Sequence, residues 1–112
     1  MTTSGMRIAA AAFTFFALQA GAVADDLQTY RLERKGHKFA PAELHVPAAK
    51  PVWIVVTNNN DEADEFEMNA PPLEKVIQPG AEGRVRVRHL APGRYDFFDD
   101  FHPDAKGAVV AE

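Results

Sequence analysis

Three acids and one histidine fall within the six residues Asp99-Asp100-Phe101-His102-Pro103-Asp104, and Glu65 and Glu67 flank Phe66 earlier in the chain. Carboxylate oxygen and imidazole nitrogen suit Cu(II), Fe(II)/Fe(III), Mn(II) or Zn(II), and ligand type alone does not choose among these. No cysteine is present. A copper–thiolate centre, an iron–sulfur cluster, a zinc ribbon and a cysteine nucleophile are therefore all excluded. Ser4 is the one serine and lies near the N-terminus, which leaves an ordinary serine hydrolase without its nucleophile. The plain alternatives are a solvated polar turn for Asp99, Asp100 and His102, with Pro103 as turn chemistry, and a solvated strand face for Glu65 and Glu67.

The elements that must position these groups read as strands. Thr29–Glu33 is a first β-type run, Gly36–Pro41 reads as a loop, and Glu43–Pro47 alternates apolar and polar residues. Pro51–Thr57 is continuously β-branched and aromatic, as a central buried strand would be. Glu65–Met68, Val76–Ile77, Arg84–Arg88, Tyr95–Phe98 and Ala108–Val110 follow, punctuated by Asn58–Glu62, Gln78-Pro79-Gly80 and Ala91-Pro92-Gly93. About seven short strands with no helical period predict an all-β sandwich.

The first 24 residues read as a secretory signal peptide. Arg7 is the positive start, Ile8–Leu18 the apolar run, and Ala22-Val23-Ala24 the cleavage motif before Asp25. The run falls short of the roughly 20 residues that span a bilayer, so the expected product is exported with no membrane span, an uncleaved membrane anchor being the alternative. It would be a single domain over residues 25–112. Its loss removes one cation and no acid, taking the formal charge of −4 to −5. An acidic domain of this kind is a poor match for nucleic acid or anionic lipid.

Several segments in order resemble a cupredoxin, in particular the small cupredoxin-like proteins associated with bacterial iron uptake. They are Phe39-Ala40-Pro41-Ala42-Glu43-Leu44-His45-Val46-Pro47, Thr57-Asn58-Asn59, Ile77-Gln78-Pro79-Gly80, Pro92-Gly93-Arg94-Tyr95-Asp96-Phe97 and Lys106-Gly107-Ala108-Val109-Val110. The resemblance implies a cupredoxin-like Greek-key β-sandwich. It also implies a metal loop between the last two strands, where the blue-copper positions fall at Glu65 for the first histidine, Asp99 for the cysteine, His102 for the second histidine and Ala105 for the methionine. Only His102 keeps its type, so blue-copper electron transfer is not expected. The metal ligands implied are Glu65, Glu67, Asp99, Asp100 and His102, with Cu(II) as the cofactor and iron as a substrate. The activity implied is assistance to Fe(II) oxidation or transfer in the periplasm, alongside an iron permease. The alternative is a non-redox carrier or chaperone for copper or iron; a purely structural module is a third reading.

The remaining candidates have plainer readings. Met68 shares the Phe66 face and belongs to the core, and Trp53 is read as a core residue of the central strand. His45 is a surface strand residue, His37 a loop residue able to reach a second metal, and His89 is without an evident partner. Arg84-Val85-Arg86-Val87-Arg88 reads as a half-buried strand whose arginines face solvent or pair with nearby acids.

Overall fold

The computed structural model describes residues 27–112; the expected signal segment lies outside these. Nine strands form: β1 (Thr29–Lys35), β2 (Lys38–Ala40), β3 (Glu43–Val46), β4 (Val52–Asn58), β5 (Asp64–Asn69), β6 (Pro72–Ile77), β7 (Glu82–Val87), β8 (Gly93–Asp99) and β9 (His102–Ala111). They make two sheets ordered β2-β1-β4-β7 and β3-β9-β8-β5-β6. The β1–β4 and β3–β9 pairs are parallel and the rest antiparallel. Parallel neighbours cannot be joined by a tight hairpin, so the chain crosses between sheets to make them, giving the Greek-key sandwich expected. No described helix is long and apolar enough to cross a membrane.

Period-two patterning decides what each strand buries. β4 is flanked on both sides, and Val52, Ile54, Val55 and Val56 are all buried. Phe39, Phe66 and Phe97 meet between the sheets at centroid distances of 4.9–6.2 Å, one pair near-perpendicular at 4.9 Å. Met68 is buried with them, as its alternation requires. Trp53 departs from expectation. It points outward, opposite to Ile54, and the Arg84 guanidinium lies 3.9 Å above its ring, so an outer-face position is kept partly covered by a cation–π contact.

Two connections are tighter than the sequence indicates. Gly36, at φ 62°, turns β1 directly into β2, so Lys38–Ala40 pair as a strand where a loop was expected. The β8–β9 junction is a hairpin in which Asp99 already pairs with His102, with a register irregularity at Phe98/Asp99. The loop between the last two strands is the short turn Asp100-Phe101: the Asp99 carboxylate accepts the Phe101 amide at 3.0 Å and closes it.

Close packing beneath this hairpin makes a prediction. A Cβ on Gly107 would lie 2.4 Å from the Ala42 carbonyl oxygen and 2.7 Å from the Phe97 ring. Gly107→Ala is therefore expected to lower stability by about 1–3 kcal/mol, read as a lower urea midpoint with an unchanged slope. An unchanged midpoint would mean that β9 sits farther from Ala42 than described.

Candidate metal centre

One end of the sandwich gathers the charged groups. The inward alternation of β1 that buries Leu32 also buries Arg34, which is 1% exposed. The alternation of β5 that buries Phe66 and Met68 buries Asp64, and the end of β8 buries Asp99. His102 opens β9 opposite Asp99. Asn58 braces the approach: its side-chain amide donates to the carbonyls of Glu62 at 2.9 Å and Ile77 at 3.0 Å, and its oxygen accepts the Asn60 amide at 2.9 Å. The loop so held carries Glu62 and delivers Asp64.

Asp99 Oδ2 accepts from Arg34 Nη2 at 3.0 Å and Nε at 3.2 Å, and His102 Nδ1 lies 3.2 Å from the same oxygen. Asp99 Oδ1 accepts the amides of Glu65 at 2.9 Å and Phe101 at 3.0 Å. Asp64 is treated differently. Neither of its oxygens has a hydrogen-bond donor, although Oδ1 lies 3.7 Å from both Arg34 Nη2 and His102 Nδ1. On its far side the His102 ring places Nε2 2.9 Å from Glu62 Oε1.

These contacts set the proton affinities. Burial first, then a hydrogen bond from protonated Asp64 to Asp99 and the Asp99 charge, push Asp64 up to about 7 against the pull of Arg34 and His102. Burial acts upward on Asp99 too, but Asp64, the two amides and His102 together hold it below the usual carboxylate value. Glu62 and then Asp99 raise His102 above its ordinary value, favouring an imidazolium that donates to both.

The sign for Asp64 follows from linkage. An unfolded aspartate loses its proton near about 4, whereas the folded chain keeps it until about 7, so folding stability falls as pH rises through that window. Asp64→Asn should remove that loss: relative to wild type, the variant gains stability between about pH 4.5 and about pH 7.5 in urea titrations. A relative loss over the same interval would contradict a strained, buried Asp64.

A second group occupies the outer face of the same strand. Glu65, Glu67 and Asp100 bring one oxygen each within 4.8 Å of one another, as do the ligand atoms of Asp64, Asp99 and His102 inside. Glu74 stands opposite Glu67 across the β5–β6 pair. Partial desolvation raises the proton affinity of Glu65 and Glu67, reinforced by the charges of Glu74 and Asp100. The backbone amide of Asp100 donates to the Glu65 carbonyl at 2.9 Å and ties the turn to β5.

The five residues singled out from sequence thus divide between two groups. Asp99 and His102 meet inside; Glu65, Glu67 and Asp100 meet outside. Asp64, rather than Glu65, is the acid that joins Asp99 and His102. Its place was readable from the alternation Asp64-Phe66-Met68, whereas Arg34 lay beyond the end given to the first strand. His45 is exposed between Glu112 at 2.8 Å and Glu43 at 3.6 Å, and His37 is exposed beside Asp104 at 3.2 Å.

The family model described as a cupredoxin-like domain matches residues 7–111, and the chain belongs to this family. An uncharacterized protein of Rickettsia prowazekii (strain Madrid E), RP394, is 31% identical over 87 residues, covering 77% of this chain and 70% of that protein. Among solved structures, the metal-binding domain of the Cu(I)-exporting P-type ATPase CopA of Streptococcus pneumoniae D39 superposes with a TM-score of 0.66. The identity is 17%, over 79% of this chain and 88% of that one. Dithionite-reduced auracyanin from Roseiflexus castenholzii gives a TM-score of 0.63 at 16% identity, over 76% and 97% of the respective chains. At these identities the structural likenesses establish the sandwich, and the ligands must be argued from this chain's own residues.

Those residues fit one kind of ion. One imidazole and two carboxylates, one of them buried with no donor for its oxygens, suit a borderline or hard dication such as Cu(II), and offer no sulfur to Cu(I). Arg34, which balances one of the two aspartates, would oppose a bound cation electrostatically.

Proposed function

We propose that this chain is an exported, periplasmic metal protein that takes Cu(II) at Asp64, Asp99 and His102 and receives Fe(II) at Glu65, Glu67 and Asp100. The observation that carries this reading is Asp64, a buried carboxylate with no donor for either oxygen, facing a histidine whose other nitrogen is held by Glu62. Ionised, Asp64 would bury two oxygens that no donor serves, which is costly, and a cation would offset that cost. The Glu62 contact fixes the ring and orients Nδ1 toward the aspartates, the arrangement that supports a metal-bound histidine. Loading requires Asp64 ionised and Nδ1 free of its proton, so affinity falls as pH drops below about 7.

Bound there, copper would supply a one-electron acceptor for ferrous iron. The outer carboxylates hold hard oxygens one residue away from the inner ligands, at Glu65 beside Asp64 and Asp100 beside Asp99. Such donors favour the ferric over the ferrous ion and ease its oxidation. Delivery of the product to an iron permease completes the role. The second reading, a carrier that does not oxidise its cargo, is favoured by Arg34, whose charge beside the site weakens retention.

Anaerobic mixing of Cu(II)-loaded protein with excess Fe(II) separates the two. One Fe(III) formed per copper supports the oxidase; an unchanged Cu(II) signal with bound Fe(II) supports the carrier. In either case the copper form is pale, because no thiolate can give an intense charge-transfer band, and a deep blue protein would overturn the ligand set.

A further inference from the structure

The two sheets of the sandwich carry opposite charge. On the outer face of β2-β1-β4-β7, Arg31, Lys35, Lys38, Arg84 and Arg86 are exposed against only Glu33 and Glu82, in a chain whose formal charge is −4. Arg84 and Arg86 alternate along β7, and Arg88 continues the row just beyond it. β7 is an edge strand. Among the described residues the arginines that form ion pairs are Arg31, Arg34 and Arg94, so the row of three keeps its charge free. At the end of the row, Arg86 and Arg88 form one wall of a groove of about 610 Å³ whose other walls include Pro51, Pro71, Pro72 and Leu73.

We infer that this face and its groove dock an acidic segment of a partner protein, with carboxylates along the arginine row and an apolar side chain between the prolines. Charge complementarity selects the partner's sign, and Arg and Trp are the side chains that most often dominate such contacts. Trp53, under Arg84, sits within the face. The arginine row lies on the outer side of one sheet, and the groove at its end runs onto β6 of the other, where Pro72 and Leu73 also border Glu67. The inference rests on the arginines and the apolar groove walls, so it stands whether or not either carboxylate group binds a metal.

Trp53 is the one tryptophan of the chain, so its emission reports on this face directly. The probe is a glutamate-rich peptide bearing one leucine, titrated at low salt. The expected result is a saturable change in Trp53 emission, with amide shifts confined to Trp53, residues 84–89 and Leu73, and weaker binding when leucine is replaced by glutamate. Arg84→Glu with Arg86→Glu should weaken binding by at least about tenfold, as should Arg88→Glu with Arg86→Glu, which spares the Trp53 contact; His45→Ala, on the other sheet, should leave peptide binding unchanged. Binding that survives both charge reversals overturns the proposal. So do equal shifts with inorganic phosphate, which make this a small-anion site, and a response to anionic phosphatidylglycerol vesicles but not to the peptide, which makes it a membrane surface.

Discussion

Arg34→Met is expected to destabilise the fold by about 3–5 kcal/mol near neutral pH, the usual cost of leaving a buried charge without its partner. Arg34 is almost wholly buried, donates twice to Asp99, and also bonds the Gly36 carbonyl that closes the β1–β2 turn. Without it, Asp64 and Asp99 face each other with only His102 to balance them. The loss should be smaller at acid pH, where Asp64 keeps its proton and the repulsion is relieved. Cu(II) should bind the variant more tightly than wild type, because the guanidinium charge that opposes the ion has gone. At about a hundredfold excess over Kd, such binding returns about 2.7 kcal/mol. Urea titrations with and without Cu(II) read both effects. A variant as stable as wild type, or one no better at binding copper, would remove Arg34 from the centre.

His102→Ala is expected to weaken Cu(II) binding by about tenfold or more in a competition titration, since even partners that merely orient a ligand are worth about 10–100-fold. Glu62→Gln, which keeps the shape and loses the charge holding Nε2, should cost toward the lower end of that range. His45→Ala is the control: His45 lies exposed on β3 between two glutamates, away from Asp64 and Asp99. Equal losses for His102→Ala and His45→Ala would show that copper is being held adventitiously on the surface. Wild-type affinity should rise with pH through about 7 and release protons on loading, from Asp64 and from His102 Nδ1.

The sandwich was legible in the sequence because its signals are local. Alternation in Glu43–Val46 and Arg84–Val87, the apolar run of β4 and the turns at Gly80 and Gly93 each fix a strand without reference to the others. The centre was half legible for the same reason. Asp99 and His102 are three residues apart, and a tight turn brings them together whatever the rest of the chain does. Asp64 and Arg34 arrive from distant strands through sheet register, and a single-residue step from Asp64 to Glu65 crosses to the opposite face of the sheet, which no local signal reveals. Trp53 was misplaced because a continuous apolar run conceals which face each residue takes; its cover is an arginine on a neighbouring strand. The division of five candidate acids and bases into an inner and an outer group is likewise a consequence of β pleating, which sends Asp64 and Glu65 to opposite sides.

The most direct measurement of the centre is electron paramagnetic resonance of protein loaded with one equivalent of Cu(II), with His102 as the nitrogen in question. A spectrum of oxygen-rich type with hyperfine coupling to a single imidazole nitrogen, lost in His102→Ala and retained in His45→Ala, is the predicted result. Coupling to no nitrogen, to two or more, or to one that survives removal of His102 would contradict a copper site built from Asp64, Asp99 and His102.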